Sequence, residues 1–182
     1  IEFNKEIVAA LKTHSCDAEV ITSKKNNVII VKPENDTLGF VGKPIKIKTE
    51  TLLKIMKDNK LPIIASLGLN ENNQTFNINA DSAAGAIAKE LKARRLLILS
   101  DVEGVLDENK KLVPEINSDQ AQQMVKDNII SGGMIPKINN CLDVAQNGVK
   151  GVCIIDGRKS HSILFELLSD KGSGTWIREW KI

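Results

Sequence analysis

Three short runs of buried-strand type recur along the chain, at residues 61–68, 95–100 and 149–155. Each has strand length and is too short for an ordinary buried helix. Strands apolar on both faces belong to sheets covered on both sides. The intervening segments carry helical periodicity: residues 49–59 (Leu52, Leu53, Ile55, Met56), the alanine-rich stretch 81–91, residues 118–125, residues 134–147 ending at Gly148, and residues 161–168. This alternation predicts an α/β fold, a three-layer α/β/α sandwich with a mainly parallel sheet.

The first part of the chain departs from that rhythm. Residues 4–13 form a short amphipathic helix through Ile7, Val8 and Leu11. The β-branched runs 18–22 and 28–32, separated by Lys-Lys-Asn-Asn, read as a hairpin. Residues 39–48 alternate as a further strand, kinked at Pro44. A polar stretch, 70–74, precedes a strand at 75–79, and 175–177 is a last short strand. Asp81-Ser82 is the expected N-cap of the alanine-rich helix.

Composition narrows the function classes. With 182 residues, 42% hydrophobic and 26% charged, the chain has enough apolar material for a real core. No apolar run approaches the roughly 20 residues of a membrane span, and Ile-Glu-Phe-Asn-Lys at the start is neither a signal nor a transit peptide. A net charge of +2 gives no argument for a nucleic-acid partner. Cys16, Cys141 and Cys153 are scattered, which reads as inert, reduced thiols in a cytoplasmic or plastid-stroma setting. Two histidines leave no histidine-built metal site.

Four segments can carry chemistry. Asn77-Ile-Asn79-Ala-Asp81 joins a strand to a helix, where ligands of open α/β sheets collect. Its amides suit a substrate bearing carboxylate and amide groups, and Asp81 either orders nearby lysines or only caps the helix. Ile130-Ser131-Gly132-Gly133-Met134-Ile-Pro-Lys137 sets two glycines before a helix, so backbone N–H groups can approach phosphate, with Lys137 facing a transferring phosphoryl group; the competing reading is a solvated loop. Ser100-Asp101-Val102-Glu103-Gly104 ends a buried strand and either borders a nucleotide pocket or is a plain acidic turn. His161, Glu166 and the Gly172-Ser-Gly174 loop can hold a basic ligand, or form a surface helix and a turn. Trp176 and Trp180 read as packing residues.

In order and spacing, these motifs resemble the acetylglutamate kinases of the amino acid kinase family. The resemblance spans nearly the whole chain, from the 61–68 run through Asn77–Asp81, Leu99 to Leu106, Gly132-Gly-Met-Ile-Pro-Lys137 and Asp156-Gly-Arg158 with His161, to Gly-x-Gly-Thr175. It implies phosphorylation of the side-chain carboxylate of N-acetyl-L-glutamate by ATP with Mg²⁺, a step of arginine biosynthesis. Lys137 then stabilises the transferring phosphoryl group, Asp81 positions catalytic lysines, and Asn77 and Asn79 bind substrate. Ser100, Asp101, Val102, Gly104, Leu106, Ile129, Ser131, Gly132, Gly133 and Met134 bind nucleotide. His161, Glu166 and Gly174 match the segment through which some members take L-arginine as an inhibitor. The resemblance also implies a homo-oligomer at full length. It assigns residues 1–60 to a remnant of the amino-acid lobe with a β-hairpin flap, and 61–182 to the nucleotide lobe.

The family's opening Lys-x-Gly-Gly strand, its His-Gly-Gly-Gly segment and its substrate-gripping arginine have no counterpart here. The chain reads as the family pattern with roughly the first 70–80 residues absent. Two other functions compete: another amino acid kinase, acting on aspartate, uridylate or carbamate, or a non-catalytic nucleotide- or arginine-binding fragment.

Overall fold

The computed structural model describes residues 1–35, 37–169 and 172–178; Trp180 lies outside them. By internal contacts the chain divides into two units, Ile1–Glu90 and Leu91–Ile182. The division falls after Glu90, not after residue 60. Strand pairing explains the shift, because residues 61–77 hydrogen-bond to strands that precede them.

Unit 1 contains α1 (Glu2–Thr13), β1 (Ala18–Ile21), β2 (Ile29–Pro33), β3 (Gly42–Ile47), α2 (Thr49–Lys57), β4 (Leu61–Ile64), β5 (Leu67–Leu69), β6 (Thr75–Asn77) and α3 (Ala80–Glu90). β1 and β4 form a parallel pair, with Ala18 opposite Leu61. A second sheet runs in the order β3-β2-β5-β6. α1 and α2 pack on the first sheet, and α3 packs on β3. α2 buries Leu52 and Ile55, one turn apart, while Leu53 and Met56 stay exposed.

Two expectations are corrected here. Residues 18–32 are not a hairpin, since β1 and β2 belong to different sheets. Just after β1, the Thr22 hydroxyl oxygen accepts the Lys24 and Lys25 N–H groups at 3.2 and 3.0 Å, and a local turn redirects the chain. The actual hairpin is β2–β3, with a register shift between Ile30 and Val31 opposite Pro44. β3 is an edge strand, so the N–H that proline lacks costs nothing on the open side. Residues 61–68 are likewise not one strand. The Leu67 N–H donates to the Ala65 carbonyl at 2.7 Å, a tight corner that sends β4 and β5 into separate sheets. The polar stretch that follows is a turn built by Asn70, whose Oδ1 accepts from the Asn72 and Gln74 N–H groups at 3.0 and 2.8 Å.

Unit 2 contains β7 (Arg95–Ser100), β8 (Glu115–Ile116), α4 (Ser118–Lys126), α5 (Met134–Gln146), β9 (Gly151–Asp156), α6 (Ser162–Leu168) and β10 (Thr175–Ile177). The sheet order is β7-β9-β10-β8. β7/β9 and β10/β8 are parallel and β9/β10 antiparallel. All six residues of β9 are buried, which requires cover on both faces, and α5 and α6 pack against it. α4 opens with a capping box in which Asn117 Oδ1 accepts from the Gln120 N–H and Gln120 Oε1 from the Asn117 N–H, at 2.9 and 3.0 Å.

Gly68 marks the closest approach within unit 1. A Cβ there would sit 2.6 Å from Val31 Cγ1 and 2.8 Å from the Ile29 carbonyl oxygen. Gly68→Ala is expected to destabilise the chain by about 1–3 kcal/mol. Urea denaturation measures it; an unchanged midpoint contradicts the close approach of β5 to β2.

Candidate functional site

The carboxyl ends of β7 and β9 lie side by side, with Ser100 opposite Asp156. In an open α/β sheet this is where ligands collect. The loop leaving β7 is held at several points. The Gly157 N–H donates to the Ser100 carbonyl at 2.8 Å. Thr175, fully buried, accepts the Val105 N–H at 2.8 Å and donates to the Val113 carbonyl at 2.7 Å. Gly104 has φ +145°, and a Cβ there would meet Thr175 Oγ1 at 2.5 Å, so only glycine serves. Leu106 closes the loop in a bridge with Leu112. Asp101 and Glu103 are exposed and Val102 is half-buried.

The glycine pair ahead of α5 is different in kind. Ser131, Gly132 and Gly133 are exposed, and a Cβ at either glycine would meet nothing within 4 Å. Gly132 has φ +54°, while Gly133, the N-cap, has an ordinary φ of −65°. The loop is anchored from behind, where the Ile129 and Ile130 N–H groups donate to the Met124 carbonyl at 2.9 and 3.0 Å. Met134 and Lys137 are half-buried in the first turns of α5. Open backbone at a helix N-terminus suits an anion.

In unit 1, Asn77 ends β6, and its N–H donates to the Phe40 carbonyl at 2.8 Å. Asn79, not Asp81, caps α3. The Asn79 Oδ1 accepts the Ser82 N–H at 3.1 Å, and its carbonyl accepts the Ala83 N–H at 2.9 Å. Asp81 therefore sits inside the first turn, half-buried, where its charge complements the helix dipole. Asn77 and Asn79 are exposed. A trough of about 500 Å³ beside α1 and β1, lined by Lys5, Lys12, Lys25 and Lys60 among others, holds none of the predicted site residues.

The α6 segment joins a polar and an apolar feature. His161 has φ +62° and lines a hollow of about 410 Å³ with Leu164, Phe165, Leu168 and Ser169. Glu166 is only 3% exposed. Its Oε2 accepts the Ser173 N–H at 2.7 Å, and its Oε1 has no hydrogen-bond partner among the described residues. Burial, and then the Glu166 carboxylate, push the Cys153 thiol well above its ordinary range, so it remains an unreactive thiol. Gly174 is glycine for packing: a Cβ there would collide with the Ile154 carbonyl oxygen.

The amino acid kinase family model matches residues 2–156. The chain belongs to that family. Acetylglutamate kinase of Pelagibacter ubique (strain HTCC1062) is 68% identical over 179 residues, 98% of this chain and 62% of the relative. Acetylglutamate kinase of Nitrobacter hamburgensis is 43% identical over 168 residues, 90% of this chain and 56% of the relative. The chain thus spans 62% and 56% of the lengths of these two curated relatives. A crystal structure of smu.665 from Streptococcus mutans UA159 superposes with a TM-score of 0.82 at 30% identity, covering 96% of this chain and 66% of that one. Carbamate kinase from Giardia superposes at 0.70 with 17% identity, covering 96% of this chain and 68% of its own, and shows the fold alone.

At this family member's β9 exit, the Asp156-Gly-Arg158 motif closes a cluster whose pairing the sequence alone does not show. The Asp156 carboxylate, 3% exposed, accepts the Arg158 backbone N–H and Nε–H on Oδ1, both at 2.9 Å, and Nη2–H on Oδ2 at 2.8 Å. Lys159 Nζ lies 2.6 Å from Glu103 Oε1. The signal was present in Asp156-Gly-Arg158, which reads as a turn because only the fold buries its aspartate.

The Arg158 side-chain bonds, followed by its backbone N–H, hold the Asp156 carboxyl at about 2, below its ordinary 3.8. The unfolded chain therefore binds the extra proton between those values, and stability rises with pH across that window. The contribution is complete above 3.8 and lost as pH falls through about 2. Asp156→Asn is expected to flatten that part of an acid-unfolding profile. A variant profile as steep as the parent's would rule out Asp156 as its source.

Proposed function

We propose that this chain carries the nucleotide-handling part, and some of the acceptor side, of a cytoplasmic ATP-dependent kinase. The acceptor is the side-chain carboxylate of N-acetyl-L-glutamate, in arginine biosynthesis. The observation that carries the reading is the exposed Gly132–Gly133 backbone at the N-terminus of α5, with Lys137 in its first turns and nothing packed on either glycine. The identity of 68% to an acetylglutamate kinase supports the choice of acceptor.

The chemistry suits these residues. A carboxylate oxygen attacks the γ-phosphorus as its bond to the ADP oxygen breaks, giving an acyl phosphate and ADP. The acceptor is already ionised at neutral pH, so no general base is required. The obstacle is bringing one anion to another, and cations with oriented N–H donors lower it. Lys137 faces the transferring group, and the 131–134 backbone cradles phosphate. Residues 100–106 with Ile129 bound the nucleoside. Asp81 orders cationic side chains, and Asn77 and Asn79 present amides to the acetylated amino acid. Mg²⁺ supplies charge neutralisation on the β- and γ-phosphates. The exposed Asp101 carboxylate can accept a hydrogen bond from a hydroxyl of the ribose.

Gly133→Ala tests the cradle, since its φ is ordinary and its surroundings are open. Stability should stay within about 0.5 kcal/mol of the parent. Affinity for Mg-ADP by isothermal titration should fall about fivefold or more, as the methyl group blocks approach of phosphate to the backbone. Equal affinity in the variant would remove the cradle.

A second reading, L-arginine as an effector, is favoured by the buried Glu166 Oε1, which lacks a donor among the described residues. A guanidinium brought to it would supply one. Arginine at 100 times its dissociation constant should raise stability by about 2.7 kcal/mol, and Glu166→Gln should abolish the shift. No melting shift in the parent chain at millimolar arginine eliminates this reading.

A further inference from the structure

We infer that Asp156 and Arg158 are positioning residues for the nucleotide segment 100–106, acting through the paired carboxyl ends of β7 and β9. The inference rests on the reading of that segment as nucleotide-binding.

Asp156 is the last residue of β9 and lies directly opposite Ser100, the last of β7. A carboxylate this buried must be paired, because an isolated charge in the interior is very costly. Among the described residues its pairing is entirely local. Arg158, two residues on, supplies three N–H bonds at 2.9, 2.9 and 2.8 Å, one from the backbone and two from the guanidinium. The planar fork fixes both the side chain and the turn it closes, which an ammonium cannot reproduce.

The turn so fixed aims the Gly157 N–H at the Ser100 carbonyl, 2.8 Å away, at the point where the nucleotide segment begins. A Cβ on Gly157 would sit 3.2 Å from Leu99 Cβ and 3.4 Å from that same carbonyl oxygen, so the two strand exits are already in close contact. The Asp156 hydrogen bonds first, and to a lesser degree the Asp101 and Glu103 carboxylates of the segment, favour the charged form of the Arg158 guanidinium. It thus offsets the acidic loop toward which an anionic nucleotide must come.

A competing tether exists. Lys159 joins Glu103 at 2.6 Å, but the side chains are 52% and 47% exposed. Exposed pairs of that kind contribute little, whereas the fork is held by a buried carboxylate. The fork, not the lysine, sets the loop.

The test uses the chain itself, with Mg-ADP titration and amide hydrogen exchange read in parallel. Arg158→Lys keeps the charge at a side chain 62% exposed and removes the fork. Asp156→Asn removes the buried charge. Each should weaken Mg-ADP about fivefold or more, and the double variant should be no weaker than the worse single one, since both break the same unit. Lys159→Met should change affinity by less than about twofold. Exchange at the amides of residues 101–104 should quicken in both fork variants while those of α4 and α5 keep the parent rate. A purely structural role predicts faster exchange throughout unit 2 instead. Parent-like affinity and exchange in Arg158→Lys, or additive losses in the double variant, overturn the inference. If the parent chain binds no Mg-ADP, the nucleotide reading fails separately, and exchange at 101–104 alone decides whether the fork positions the loop.

Discussion

The parallel pairing of β7 with β9 is the constraint on which unit 2 depends. It runs in register from Arg95 opposite Gly151 to Ser100 opposite Asp156. Because β9 is buried along its whole length, helices must cover it on both sides, which fixes where α5 and α6 go. Because the pair is parallel, both carboxyl ends emerge at one edge of the sheet. The 100–106 segment and the 156–161 turn are neighbours for that reason alone. β10 completes the arrangement by pairing with β9 and β8 while its Thr175 hydroxyl ties residues 105 and 113.

The strand and helix rhythm was legible where apolar period and length agreed. The β7 and β9 runs and α1, α4 and α5 appeared within a few residues of their true bounds. The failures share one cause: periodicity reports which residues are buried, not which strand they pair with. The 61–68 run is continuously apolar although it turns a corner at Ala65, because both halves are partly buried in different sheets. The 18–32 segment looks like a hairpin because the Thr22 turn is local, whereas the partner of β1 lies more than forty residues away, at β4. β8 is two residues long and carries no pattern at all.

At the site, legibility divides along the same line. Gly132–Gly133 and Lys137 stood out because their spacing is local. The Asp156–Arg158 fork is equally local in sequence, yet its importance comes from the burial of Asp156, which only the packed sheet creates. The capping role that the sequence allows to Asp81 falls to Asn79. Both residue types cap helices, and the chain chose the asparagine, which releases the carboxylate from capping.

The glycines show how a structural requirement and a ligand requirement can be told apart. At Gly68, Gly104 and Gly174 an added Cβ collides with neighbouring atoms, so packing alone accounts for the residue. At Gly133 neither packing nor backbone angle asks for glycine, and as the N-cap it brings no side-chain oxygen to the first-turn N–H groups of α5. The next turn repeats the anomaly: α5 has no acidic residue in its first turn, and Lys137 stands near the end that disfavours a cation. The exposed backbone without a side-chain cap and the half-buried cation both favour an approaching anion. The proposed function accordingly assigns the phosphoryl end of the nucleotide to the N-terminus of α5 and the 100–106 segment to the nucleoside.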